Sequence, residues 1–425
     1  MDLLIIDHCP LIINQMTLKQ IRKIILLITL LLLAGATGWT LRGTKIGTQE
    51  YVIQSTPKEG VDLSLFWDVW HRLEQDYLDR SALIKEKMVY GAIKGLTQSL
   101  GDPYTVFLEP TDNKRAKEDL DGSFGGVGIQ LGYKDKRLAV IAPLKGTPAE
   151  RAGVKAGDLI LNILDAKKDV DRETTGISLP EAVNLIRGPE GQPVTLTLLS
   201  EGEERPHDVE IKRGKIIVPS VEVEFIKNDQ CSMVNDQCLV AHLKLMRFGE
   251  RTDGEWNQAV SSIINHQPSI IGVILDVRNN PGGFLNGSVF IASEFLNGGL
   301  VVKQEGKGEV KVYEVNRRGK LLDYPLVVLT NQGSASASEI VAGALKDRGR
   351  AKLVGEATFG KGTVQEAQDL RGGAGLHITT ARWLLPSGDW IEEKGIEPDL
   401  VIQLDEEKEG DEQLEKAIEI MINGQ

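Results

Sequence analysis

A chain of 425 residues sets an expectation of two to three domains, and 41% hydrophobic with 26% charged residues is the composition of a folded globular protein. A formal charge of −12, six histidines and no basic stretch interleaved with aromatics argue against a nucleic-acid binder. No Walker loop, HExxH or paired CxxC motif occurs, so no metal, nucleotide or other cofactor is expected.

At the N-terminus, Lys19, Arg22 and Lys23 precede an uncharged run from Ile24 to Leu41. Its core, Ile24–Leu33, has the length of a signal-peptide apolar region, and Ala34-Gly35-Ala36 offers a small-residue cleavage site. The same run just reaches the length of a membrane anchor, with Trp39 suited to an interface. Residues 1–43 are therefore expected to be a signal peptide or a signal anchor, the retained anchor being favoured. The body is then exported, to a periplasmic or other extracytoplasmic compartment, and tethered to the membrane. Residues 1–15, with Asp2 and Asp7, make a poor start to such a segment, so Met16 is a candidate initiator that would leave Cys9 outside the protein. Residues 44–61 are polar, lack periodicity and read as a linker. Leu65, Val69, Leu73 and Tyr77, then Met88, Ala92 and Leu96, recur at helical spacing, so residues 62–120 read as helical, broken at Leu100-Gly101-Asp102-Pro103-Tyr104.

Residues 121–213 open with Phe124-Gly125-Gly126-Val127-Gly128-Ile129, where small residues expose successive N–H groups that can wrap a carboxylate. The stretch Thr147-Pro148-Ala149-Glu150-Arg151-Ala152-Gly153-Val154-Lys155-Ala156-Gly157-Asp158-Leu159-Ile160 follows, and Ser178–Ile186 reads as a helix. Together these segments resemble a PDZ domain. The resemblance implies that Gly126, Val127, Gly128 and Ile129 hold a peptide's terminal carboxylate while the next strand pairs with its tail. Arg187-Gly188-Pro189 likewise resembles a segment whose arginine supports peptide binding or signals to the core; the alternative is that Arg187 satisfies carbonyls at a helix end. The charged stretch Asp165–Gly176 reads as a surface loop.

In residues 214–425, strand-like runs (270–275, 325–330, 376–385) alternate with helical ones (255–264, 287–297, 338–348), the pattern of a mixed sheet covered by helices. Val221–Ile226 and Leu239–Leu245 read as a hairpin. Cys231 and Cys238 flank its connection, where they either close a disulfide in an oxidising compartment or remain reduced thiols. Glu406–Glu412 reads as a solvated acidic tail.

Three segments carry chemistry. The run Ile270–Leu275 leads into Asp276-Val277-Arg278-Asn279-Asn280-Pro281-Gly282-Gly283, a turn sequence. Pro325–Thr330 leads into Gly333-Ser334-Ala335-Ser336-Ala337-Ser338-Glu339-Ile340, which opens an amphipathic helix. A serine there sits where helix N–H groups and the dipole favour a developing oxyanion, although Ser336-x-x-Glu339 is equally a capping box. In Phe359-Gly360-Lys361-Gly362-Thr363-Val364-Gln365, a strand would put Lys361, Thr363 and Gln365 on one face. A lysine is a general base only when neutral, which burial favours; the plain alternative is a surface lysine in a glycine-rich turn.

The three segments together resemble the carboxy-terminal processing peptidases, or tail-specific proteases, which use a Ser-Lys dyad. In that family the lysine follows the nucleophile by 25 residues and a glutamine follows four later, a spacing that here selects Ser336 over Ser334 and Ser338. The match spans roughly residues 62–405. It implies an α/β multidomain protein: an N-terminal helical domain (62–120), a PDZ domain (121–213) and a mixed-sheet Ser-Lys peptidase core (214–425) of crotonase- or Clp-protease-like fold. It implies Ser336 as nucleophile, Lys361 as base, Gln365 as the residue orienting the lysine, and the N–H groups of Gly282 and Ala337 as the oxyanion hole, with Gly283 as the alternative to Gly282. The expected partners are proteins or peptides with free C-termini, and homo-oligomerisation is left open. A silent PDZ scaffold is disfavoured because Ser336, Lys361 and Gln365 are all present. A Ser-His hydrolase would need His377, which reads as exposed and incidental.

Overall fold

A computed structural model describes residues 60–227, 238–404 and 410–423. The targeting segment and Cys231 lie outside them. The described residues divide between Leu83 and Ile84 into two compact units. In the first, helix α1 (Ser64–Asp76) packs Phe66, Trp67 and Trp70 ring against ring. Among the described residues no helix is long and apolar enough to cross a membrane.

The second unit begins with α2 (Lys85–Gln98), β1 (Val106–Leu108), α3 (Pro110–Asp121) and β2 (Ser123–Gly126). Helix α3 starts on a proline, which needs no helical N–H partner there, and ends on Gly122 in the left-handed conformation. The span that reads as helical with one break thus contains a strand just after that break, and this strand belongs to a distant sheet described below.

The PDZ fold follows as β3 (Ile129–Lys134), β4 (Arg137–Pro143), α4 (Pro148–Arg151), β5 (Leu159–Asp165), β6 (Val170–Glu173), α5 (Leu179–Ile186), β7 (Pro193–Leu199) and β8 (His207–Lys212). The strand order is β3-β4-β5-β7-β8, with β6 on β5. Period-two alternation turns Val194, Leu196 and Leu198 inward, where they bury against Ile163, Ala182 and Ile186. Ser178 caps α5 by accepting the Glu181 N–H. The Asp165–Gly176 stretch is exposed over most of its length, as a surface segment should be, but it is not all loop. It contains β6, and Asp165 is fully buried against Arg213 at 2.7 Å. Arg213, also fully buried, donates to the carbonyl oxygens of Ile186 (2.7 Å) and Pro193 (3.1 Å). A cation at the negative end of α5 is favourable, and only a paired charge is tolerated at this depth.

Strand β9 (Gly214–Ile217) pairs antiparallel with β2, so a two-stranded ribbon carries the chain into the PDZ domain and out again. The core then runs β10 (Val221–Lys227), β11 (Leu239–Leu245), α6 (Thr252–Asn265), β12 (Ile270–Asp276), α7 (Leu285–Phe295), β13 (Leu300–Gly306), β14 (Glu309–Glu314), β15 (Leu326–Thr330), α8 (Ala337–Asp347), β16 (Lys352–Gly355), β17 (Thr363–Asp369), β18 (Gly375–Leu384), β19 (Leu400–Val401) and α9 (Glu412–Asn423). One sheet has the order β10-β11-β12-β15-β16-β19 and is parallel except at the β10–β11 hairpin. Every residue of β12 and β15 is buried, because helices cover both faces. In β15, Leu326 and Val328 enter the cluster with Trp256, Val289 and Ile340, while Val327 and Leu329 face Ala417 and Met421 of α9. The last described helix is therefore packed on the sheet, while most of the stretch read as an acidic tail, Glu406–Glu412, lies outside the described residues. The second sheet has the order β1-β18-β13-β14, with β17 on β18. Here Val106 of β1 pairs with His377, stitching the segment before the PDZ domain into the core.

The Asp165–Arg213 pair makes a testable contribution. Burial opposes ionisation of Asp165, but the Arg213 hydrogen bond and charge, with the amides of Lys168 and Lys167, hold its pKa below the usual aspartate value. Its stabilisation is complete above the unfolded pKa of about 4 and is lost as pH falls through the lower folded value. Arg213→Ala is expected to destabilise the PDZ domain by about 3–5 kcal/mol at neutral pH, with the gap to wild type narrowing in acid. Urea unfolding at pH 7 and pH 3 measures both; equal midpoints at pH 7 would remove the pair from the account.

Candidate active site

The three motif segments leave the carboxyl ends of β12, β15 and β16, which are neighbours in the parallel sheet. Such ends form a crevice in open α/β sheets.

The loop after β12 is braced at its root. Asp276 is buried between the Arg278 guanidinium at 2.7 Å and His242 Nε2 at 3.0 Å; despite burial, these partners hold its pKa at about 2. Arg278 also donates to Asp411 and Gln413. Asn280, fully buried, donates to the Leu245 carbonyl at 2.8 Å and accepts the Gly282 N–H at 2.9 Å. Gly282 and Gly283 have φ of +100° and +137°, and a Cβ on Gly283 would lie 2.1 Å from the Phe248 carbonyl oxygen. A Cβ on Gly282 would lie 2.9 Å from Ser336 Cβ. Only glycine lets this turn press against the serine loop.

That loop uses its three serines differently. Ser334 is buried and donates to the Val277 carbonyl at 2.8 Å. Ser338 is buried and donates to the carbonyls of Asn280 and Ala335. Both tie the β15 loop to its neighbours. Ser336 is only partly buried and has φ 54°, ψ −112°, a conformation that costs a non-glycine residue about 1–3 kcal/mol. It stands immediately before Ala337, the first residue of α8.

The loop after β16 brings Lys361. Lys361 precedes β17 and does not lie in it, and the β17–β18 register shifts between Val364 and Gln365. The alternation expected for residues 361, 363 and 365 therefore does not apply. Burial pushes the Lys361 ammonium below the ordinary lysine value, against the attraction of Glu392, Glu339 and Asp102. Among the described residues no carboxylate forms an ion pair with it. Gln365 donates its side-chain amide to the hydroxyls of Thr363 (3.0 Å) and Thr379 (3.2 Å), not to Lys361.

Glu339 joins the serine and lysine loops, a role that its place in a capping box did not disclose. It is fully buried. One carboxylate oxygen accepts the N–H groups of Ser336 (2.7 Å) and Lys361 (3.0 Å); the other accepts the Gly360 N–H and the Thr358 hydroxyl, both at 2.6 Å. Burial raises its pKa against these four donors. An ionised carboxylate has about four acceptor sites, and all are used.

His377 is not the exposed residue expected. It is half-buried on β18, and burial with the nearby Lys361 charge lowers its pKa. In the PDZ domain, Ser123–Gly126 is strand, with Gly126 opposite Gly214, which leaves Val127 and Gly128 as the loop. Their carbonyls accept the N–H groups of Ala149 (2.8 Å) and Leu144 (2.9 Å), and Ile129 begins β3, a strand at the end of its sheet order. Arg187 does not cap the carbonyls of α5; Arg213 and Lys168 do. Its guanidinium lies 3.7 Å over the Phe124 ring and 3.9 Å from Asp119 on α3. Cys238 is buried and disulfide-bonded.

A PDZ domain inserted into a mixed α/β core, with a strained serine before a helix, is the plan of a multidomain serine peptidase. The profile of Peptidase family S41 matches residues 239–402 and that of the PDZ domain residues 140–200. The chain is 36% identical over 354 residues to the carboxy-terminal-processing protease of Bartonella bacilliformis, covering 82% of this chain and 76% of the relative. It is 35% identical over 339 residues to the carboxy-terminal processing protease CtpA of Bacillus subtilis, covering 79% and 68%. A solved Bacteroides fragilis structure assigned to the S41 proteases superposes with a TM-score of 0.53 at 15% identity, covering 87% of this chain and all of that one. The chain belongs to peptidase family S41, among the carboxy-terminal processing serine proteases.

The Glu339 clamp yields a direct expectation. Glu339→Gln replaces one acceptor oxygen by a donor that faces N–H groups. It should lower kcat by about 100-fold or more through misplacement of the serine and lysine loops. Steady-state kinetics on a peptide substrate checks this, and a kcat within about threefold of wild type would show that the clamp does not set the geometry.

Proposed function

We propose that the protein is an endopeptidase that cleaves proteins recognised by their C-termini, with Ser336 as nucleophile and neutral Lys361 as general base. The observation that carries the reading is the single buried Glu339 carboxylate that binds the amides of both residues. Ser336 attacks the scissile carbonyl as its proton passes to Lys361. The oxyanion is held by the Ala337 N–H and a donor from the Gly282–Gly283 turn. Gly282 N–H is bonded to Asn280 Oδ1, so its use requires the turn to rotate; Gly283 N–H has no such partner among the described residues. Lys361 then gives the proton to the leaving amine, and water resolves the acyl-enzyme. Gln365, fixed by Thr363 and Thr379, orients the neutral amine. Substrate tails add to the free edge of β3, with their carboxylate at Val127–Ile129. With residues 1–43 as a signal peptide or anchor, the work is done outside the cytoplasm.

Ser336→Ala and Lys361→Ala should each abolish cleavage with the fold intact, and the double variant should be no worse than either. Ser334→Ala, which loses a buried hydrogen bond, should instead lower stability by about 1–3 kcal/mol and keep measurable turnover. An active Ser336→Ala enzyme would overturn the assignment. His377→Gln should remain active; loss of activity with an intact fold would favour the serine–histidine reading.

The pH dependence has a defined sign. A base whose pKa is lowered by burial is protonated and idle at low pH, so the rate should rise with pH through that lowered value. A rate already on its plateau at pH 5 would contradict a lysine base. Separately, a peptide with an amidated C-terminus should bind and be cleaved less well than its free acid; equal behaviour would remove the carboxylate reading of the PDZ loop.

A further inference from the structure

Tyr104 lies in the turn that the sequence marks only as a break between helical stretches. The fold delivers this turn to the active site, because β1 pairs with β18. The turn is locked in place. Asp102 accepts the Tyr104 N–H at 2.9 Å and the Thr105 hydroxyl at 2.6 Å. The Thr105 hydroxyl accepts the Thr379 N–H at 3.0 Å, and the Thr379 hydroxyl is the same group that holds Gln365. Lys361 Nζ lies over the Tyr104 ring, 4.8 Å from its centroid.

We propose that Tyr104 is a positioning residue for Lys361, its ring face being the seat on which the amine is held between proton transfers. The proposal rests on the reading of Lys361 as the base. The charged and titratable groups that influence Lys361 are Asp102 from the same turn, Glu339 from α8, Glu392 from the loop after β18 and His377 from β18. An ion pair with one of the carboxylates would hold the amine protonated and disable it. A ring face attracts the ammonium more weakly, through its quadrupole, and also excludes water. The amine is thus kept in place by an interaction that still lets it lose its proton. Burial, with Glu392, Glu339 and Asp102 nearby, raises the pKa of Tyr104 itself, so the ring stays a neutral phenol while the enzyme works.

The test is the pH–rate profile of the full chain on one peptide substrate for wild type, Tyr104→Phe, Tyr104→Leu and Lys361→Ala. Tyr104→Phe keeps the ring and should retain the wild-type profile. Tyr104→Leu removes an attraction for the charged form, so the acid limb should move to lower pH by about half a unit to one unit. Its plateau kcat should fall about tenfold, with KM changed less than about twofold, because the loss is in placement of the base and not in substrate binding. If Tyr104→Leu does not fold, phenylalanines of increasing ring fluorination at position 104 keep the shape and drain the ring face; the limb should then move stepwise in the same direction. A Tyr104→Leu or fully fluorinated profile equal to wild type, or a limb moved to higher pH with the plateau kept, overturns the proposal. An inert Lys361→Ala beside such a result confines the failure to Tyr104, whereas an active Lys361→Ala brings down the lysine reading itself.

Discussion

The candidate active site depends on one buried carboxylate. A carboxylate at the depth of Glu339 is unfavourable unless its oxygens are satisfied, and here two oxygens take four donors. Those donors come from loops after two different strands, so meeting the carboxylate's demand fixes the serine loop against the lysine loop. The third loop is held by a similar economy of buried hydroxyls and amides: Ser334 and Ser338 donate to carbonyls of the β12 loop, and the Ala335 N–H donates to Asn280. The strained backbone of Ser336 persists because residues on either side of it are tied down.

Electrostatics and burial oppose each other at Lys361. Glu392, Glu339 and Asp102 would keep the amine charged, and burial would discharge it. Glu339 is the nearest in the chain of bonds, yet it spends its acceptor capacity on amides and a threonine hydroxyl. Its charge is met by the backbone, and the lysine is left without a carboxylate partner among the described residues. A buried acid held by amides can thus sit beside a partly buried lysine without pairing with its amine, as the proposed base requires. The same division appears in the PDZ domain, where Arg213 and Asp165 satisfy each other and the end of α5, and Arg187 is released to stack on Phe124.

Much of this was legible in the sequence. The β12, β15 and β18 strands and the helices between them read correctly to within a few residues, because buried parallel strands are continuous apolar runs and covering helices are amphipathic. The three motif segments, in order and at their spacing, point to one crevice. What the sequence hid was long-range. A three-residue strand such as β1 carries too little pattern to announce its pairing with β18, and Asp102-Pro103-Tyr104 therefore looked like punctuation. Asp165 and Arg213 are 48 residues apart, so the burial of Asp165 at the head of an otherwise solvated charged stretch was not legible. Glu339 had a sufficient local explanation as a capping residue, which concealed its bond to the Lys361 amide. The lysine was placed on a strand by a period-two argument, but β17 begins two residues later.

The central claim is that Ser336 is made nucleophilic by Lys361. It is tested most directly by covalent trapping with a serine-reactive phosphonate, read by mass spectrometry of the digested protein. The account predicts one adduct, on Ser336, formed in the wild type and lost or slowed by orders of magnitude in Lys361→Ala. An adduct on Ser334 or Ser338, or labelling of Ser336 at an unchanged rate without the lysine, would contradict it.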